Sequence, residues 1–195
     1  MIDSGDTTWI LVSSALVLVM TPALAFFYGG MVRKKNILST LNLSFIMMCL
    51  ISIQWLVYGY SLAFGSDMGG GLLGSLEFVG FQGVGAEPLE GMTIPHMLFA
   101  AFQMMFAIIT PALITGAFVE RVRFKTFLIF SLLWATLIYD PVCHWVWGPG
   151  GILGPEGLGA LDFAGGTVVH ITRGSTALAF ALAIGPRKGF GRTAF

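Results

Sequence analysis

The sequence is short of charge. Only 10% of its 195 residues are Asp, Glu, Lys or Arg, where soluble domains carry about 25%. Such a chain has too few polar groups to cover a water-facing surface, which excludes a soluble globular domain. Acidic and basic residues balance at 10 each, so no basic excess invites nucleic acid. Cysteine is nearly absent: Cys49 and Cys143 form no spaced motif, and both read as small buried hydrophobes. No nucleophile stands beside a base. Gly69-Gly70-Gly71 is followed by no lysine, and His144 and His170 have no Cys or Glu at coordinating spacing. Neither an enzyme, a cofactor nor a metal centre is expected.

What the chain has instead is apolar length. Hydrophobic residues make up 56% and the mean hydropathy is +0.85. A helix crosses the hydrocarbon core in about 20 apolar residues, and the segments 9–27, 37–64, 94–119, 124–147 and 163–184 qualify. The expected fold class is therefore all-α, a polytopic membrane helix bundle. The 26 glycines suit close packing of such helices. Arg33, Lys34 and Lys35 follow the first segment; Arg121, Arg123 and Lys125 follow the third; Arg187, Lys188 and Arg192 follow the fifth. The opposite loops carry Asp3, Asp6, Asp67, Glu77, Glu87, Glu90 and Glu156, with no Lys or Arg. The positive-inside rule then places the N-terminus outside and the C-terminus in the cytoplasm, in the plasma membrane. Ala23-Leu24-Ala25 resembles a signal-peptide cleavage site, but Asp3 and Asp6 precede the apolar run where basic residues would be needed.

Polar groups inside a membrane are costly and so are functional candidates. Here they are Gln54, Gln103, Glu120, Asp140, His144, Asp162, His170 and Arg173. His170 is the sharpest. Counted from Asp162 at 1.5 Å per residue it lies about 12 Å inward, near the midplane. It reads either as an interhelical hydrogen-bonding group or as a pore or proton-relay group, and a dry setting favours an uncharged ring. Asp162 reads as a helix N-cap at the outer mouth. Phe102 and Phe106, spaced i, i+4, share a helix face, and Trp147 ends the fourth segment on the outer side. Three such rings can hold a cation, although aromatics are equally at home against lipid and in interfacial belts. Glu120 beside Arg121 and Arg123 reads as an interfacial ion pair. Pro111 is tolerated within a membrane helix.

Several runs taken together resemble the ammonium transporter family (Amt/Mep/Rh). They are Phe26-Phe27-Tyr28-Gly29-Gly30-Met31-Val32-Arg33, Ala101-Phe102-Gln103-Met104-Met105-Phe106-Ala107, Ala117-Phe118-Val119-Glu120-Arg121, His144-Trp145-Val146-Trp147-Gly148, and the stretch from Gly159 through Asp162 to His170-Ile171. The resemblance implies an eleven-helix fold with two inverted five-helix repeats, of which residues 1–195 match the first as part of a single membrane domain. The run 190–195 is similar to the loop that leads into a sixth helix. It implies a homotrimer when full length, ammonium/ammonia as substrate, and a cytoplasmic PII-type signal protein as partner. By position, Phe102, Phe106 and Trp147 resemble an outer recruiting site, Phe106 also a gate ring, His170 the first of two pore histidines, and Asp162 a structural aspartate. The other gate ring, a serine and the second histidine would belong to the second repeat. The implied mechanism is recruitment of ammonium, deprotonation, and passage of ammonia past neutral histidines. A sensor, or a non-conducting fragment on the same scaffold, are the alternatives. One departure is plain: where the family has small residues after the histidine, this chain has Thr172-Arg173-Gly174. Arg173 is expected to impair conduction, unless it is a variant in a degraded gene.

Overall fold

The computed structural model describes residues 1–187 and 189–191; Lys188, Arg192 and the end of the 190–195 run lie outside them. Among the described residues, five helices are long and apolar enough to cross a membrane: α1 Ser4–Gly30, α2 Lys34–Phe64, α3 His96–Ala117, α4 Phe124–Trp147 and α5 Gly166–Ile184. Helices are the natural solution where no water can satisfy backbone groups. α1 begins earlier than its apolar run because the Asp3 carboxylate accepts the Asp6 N–H at 2.8 Å, an N-cap in the first polar residues. α5 begins later than expected, at Gly166 rather than residue 163.

The helices are layered around α3. It packs against α1, α2 and α5, while α4 packs against α2 and, near its end, the start of α5. In the most apolar stretch of α3, 56% of residues are buried, against 11% in α1 and in α5. The core therefore lies between α2, α3 and α4, where Met47, Ile51, Trp55, Ile108, Phe127 and Tyr139 are fully or almost fully buried. Cys143 is buried there too, but Cys49 is exposed on α2, so the expectation of two buried cysteines fails for the latter. Its side chain falls on the face of α2 that no other helix covers.

Among the described residues three helices contain a π-helical turn: Trp55–Gly59 in α2, Ala135–Tyr139 in α4 and Gly166–Ile171 in α5. The first two flank one polar contact. Gln54 and Asp140 are both buried, and the Gln54 amide donates to the Asp140 carboxyl at 2.6 Å. Gly59 leaves the room for it, since a Cβ there would lie 2.6 Å from Gln54 Oε1.

The loop between α2 and α3 closes the acidic end. Gly71 has φ +70, and a Cβ on it would stand 2.4 Å from the Ile152 nitrogen. That close approach lets Ile152 N–H donate to Gly71 O at 3.0 Å, while Trp145 Nε1–H donates to Leu72 O at 2.8 Å. Both the backbone N–H and the hydroxyl of Ser66 donate to Glu77, and the backbone bond is the main reason the Glu77 carboxyl sits below its ordinary range. A carboxylate held low in the folded state stabilises above its unfolded pKa and loses that contribution as pH falls. Acidification below about pH 4 should therefore expose the Ser66 amide to hydrogen exchange, and Glu77→Gln should remove that pH dependence.

At the basic end, Glu120 adopts a left-handed φ of 66° and accepts from Asn36 Nδ2 at 2.6 Å and Arg33 N–H at 3.3 Å. The Asn36 bond, then the Arg33 N–H bond and the charges of Arg33 and Lys35, lower its carboxyl below the ordinary range. Arg121 turns away to donate to Gly185 O and Ala117 O at 2.7 and 2.6 Å. The expected ion pair with the neighbouring arginines gives way to a tie between the α1–α2 and α3–α4 connections. A cavity of about 1080 Å³ opens at this end beside Arg33, Lys35, Glu120, Arg121 and Arg187.

Candidate functional site

The residues that sequence reading singled out for cation recruitment meet at the acidic end. Phe102 and Phe106 are one helical turn apart on α3 and half-buried, their ring centroids 5.0 Å apart and nearly perpendicular. Trp147, the last residue of α4, brings its ring to 6.3 Å from Phe106 at 71°. An aromatic ring face attracts a cation brought within about 6 Å of its centroid, and three rings gather here.

Trp147 is held by the start of α5. Its Nε1–H donates to the backbone carbonyl of Asp162 at 2.8 Å. The Asp162 carboxylate in turn accepts three backbone donors: Gly166 N–H at 2.7 Å through Oδ1, and Thr167 and Val168 N–H at 2.8 and 3.0 Å through Oδ2. It is not the N-cap by position, because Gly165 intervenes in a left-handed conformation (φ 75°). It nevertheless satisfies the donors that a helix start leaves open. Gly165 cannot readily be another residue here: besides the positive φ, a Cβ would lie 2.8 Å from Val169 Cγ2.

This geometry fixes the place of His170 along α5. Residues 162–165 are not helical, so the rise per residue counts only from Gly166. His170 then lies about 6 Å from the start of α5, and Arg173 about 10 Å. His170 sits within the π-helical turn, its backbone N–H donating to Gly165 O at 2.9 Å. Its side chain is exposed on this chain, and Arg173 reaches it: Nε and a terminal guanidinium nitrogen lie 3.3 and 3.1 Å from His170 Nδ1.

The remaining polar candidates do not converge on the aromatic rings. His144 is fully buried, with Nδ1 3.1 Å from Ala63 O and Nε2 3.4 Å from Asp67 Oδ1, and it binds α4 to the end of α2. Gln103 has a buried Oε1 without a partner among the described residues. Sequence reading overlooked Tyr60 and His96, a buried pair at 2.6 Å packed against Phe78. Their only advance signal was a histidine directly after Pro95. Among the described residues no three His, Cys, Asp or Glu side chains gather as a metal site.

The chain as a whole is similar to known proteins. The family model described as Ammonium Transporter Family matches residues 8–194. The ammonium transporter of Bacillus subtilis is 54% identical over 185 residues, which is 94% of this chain and 45% of that protein. Ammonium transporter Amt1 of Archaeoglobus fulgidus is 47% identical over 188 residues, which is 96% of this chain and 45% of the relative. The crystal structure of Saccharomyces cerevisiae Mep2 superposes with a TM-score of 0.87 at 42% identity, over 95% of this chain and 41% of Mep2. A structure titled Sensor Amt Protein superposes with a TM-score of 0.81 at 28% identity, over 93% of this chain and 44% of that one. The chain thus spans about half the length of the relatives it matches.

Proposed function

Because the chain belongs to the ammonium transporter family, a family of multi-pass membrane proteins rather than enzymes, we propose that it serves the movement of ammonium/ammonia across a membrane. In this reading residues 1–195 are the first five-helix repeat of a single transport domain. The observation that carries it is the convergence of Phe102, Phe106 and Trp147 beside the start of the helix that bears His170.

The acidic end faces outward and the basic end faces the cytoplasm of a plasma membrane, following the distribution of Lys and Arg. At the outer mouth the ring faces attract ammonium, an interaction worth about 0.5–2 kcal/mol, and replace part of its hydration. The apolar path beneath disfavours the charged form. Ammonium therefore gives up its proton beside Phe106, and ammonia continues past His170. Potassium, of similar size, has no proton to lose. Asp162 supports the mouth by holding both the start of α5 and, through its own carbonyl, Trp147. A homotrimer and a cytoplasmic PII-type signal protein are the assembly and partner this reading implies for the full-length protein.

Radiolabelled methylammonium uptake in a transport-deficient cell tests the proposal. Trp147→Leu removes a ring face and should raise the half-saturating concentration about tenfold, while Trp147→Phe should keep part of the effect. Uptake indistinguishable from background in cells expressing the unaltered chain would count against transport. A second reading, a sensor on the same scaffold, is favoured by Arg173 and by the likeness to the sensor structure. It predicts ammonium binding without uptake.

A further inference from the structure

Arg173 is a charged residue inside a membrane helix, and the structure shows what it touches. Two of its nitrogens point at a single acceptor, His170 Nδ1, at 3.3 and 3.1 Å. Among the described residues no carboxylate lies within ion-pair distance of it. A guanidinium has donors and no acceptor, and it does not deprotonate in proteins. Nδ1 must therefore present its lone pair to Arg173, and the proton of a neutral ring must sit on Nε2. A histidine free of such a partner could carry its proton on either nitrogen.

We propose that Arg173 is a positioning residue that fixes His170 as a donor-only ring and so makes the path select for the uncharged amine. This rests on the transport reading above. Nε2–H can donate to the lone pair of ammonia. Ammonium has no lone pair and cannot accept that bond. Nor can Nδ1 take a proton passed along from ammonium, because both guanidinium donors already occupy it. The guanidinium adds a fixed positive charge one helical turn beyond His170, which repels any cation that has kept its proton. Movement past this point is consequently of ammonia alone, with no charge carried through His170.

Two measurements on the full chain decide this. The first is nitrogen NMR of labelled histidine in lipid, which separates a protonated from an unprotonated ring nitrogen. The unaltered chain should show one neutral His170 tautomer, with Nδ1 unprotonated. Arg173→Ser should show a mixture of the two tautomers. A protonated Nδ1, or the same mixture in the unaltered chain, overturns the proposal whether or not the chain transports. The second uses proteoliposomes given an ammonium pulse, with a luminal pH dye and a recording of charge movement. The unaltered chain should alkalinise the lumen without current. Arg173→Ser should add a current about tenfold above the unaltered chain's, while Arg173→Lys, which keeps the charge, should not. Equal currents from the unaltered chain and Arg173→Ser overturn the proposal and leave the transport reading intact. Absence of both signals from every variant overturns the two together.

Discussion

Asp162→Ala should loosen the start of α5 and cost about 2–4 kcal/mol of stability, with methylammonium uptake falling to background. Three backbone N–H groups depend on this one carboxylate, and they lie where residues 163–165 provide no earlier helical turn. A donor left open away from water costs more than the bond itself contributes. The same change also frees the segment whose carbonyl anchors Trp147, so stability and recruitment should fail together. Asp162→Asn is the informative control. Both carboxylate oxygens are in use, and an amide would turn an NH₂ toward a backbone N–H. It should therefore recover only part of the loss, because its one oxygen can still accept from Thr167 and Val168 while its amide faces Gly166 N–H. Thermal unfolding in detergent, read beside uptake, checks both. An Asn variant as stable as the parent would show that one oxygen suffices.

Gln54→Leu should be the most destabilising change in the bundle core, by about 3 kcal/mol or more. The Asp140 carboxyl is fully buried, and its recorded donor is the Gln54 amide at 2.6 Å. Gln54 Oε1 and Asp140 Oδ1 are already without partners among the described residues. Removing the amide strands the acid between apolar helices, whereas replacing both with leucine removes the stranded group as well. The double variant Gln54→Leu with Asp140→Leu should consequently be more stable than Gln54→Leu alone. If the single and double variants lose the same stability in thermal unfolding, the contact contributes through shape rather than polarity.

Much of the architecture could be read without coordinates. The five spans stand out because the bilayer demands about 20 apolar residues at a time, and the clusters of Lys and Arg punctuate them. The spacing of Phe102 and Phe106 correctly placed their rings on one face, and the three-residue interval from His170 to Arg173 put them on neighbouring faces, where they touch. The failures have a common physical origin. Phe163-Ala164-Gly165 is apolar enough to be helix, but the left-handed Gly165 and the reach of Asp162 begin the helix at Gly166. Glu120 found Asn36 rather than an adjacent arginine, because a contact between connections distant in sequence leaves no local trace. Gln54 and Asp140 were each visible as costly polar residues, yet nothing in the residues paired them across 86 positions.

The π-helical turns carry a further consequence. Each accommodates its residues with a wider winding than the α-helix around it, so the helix leaves the turn out of phase with the way it entered. α4 is thus two facets joined by an angular step at Ala135–Tyr139, and no single helical wheel describes it. Deleting one residue inside that step would rotate everything beyond it by about 100°. Asp140, His144 and Trp147 would swing away from Gln54, Ala63 and Phe106 in one motion. The interior of the bundle and the rim of its mouth are therefore indexed by the same short segment, so an alignment that shifts one residue there would misassign both.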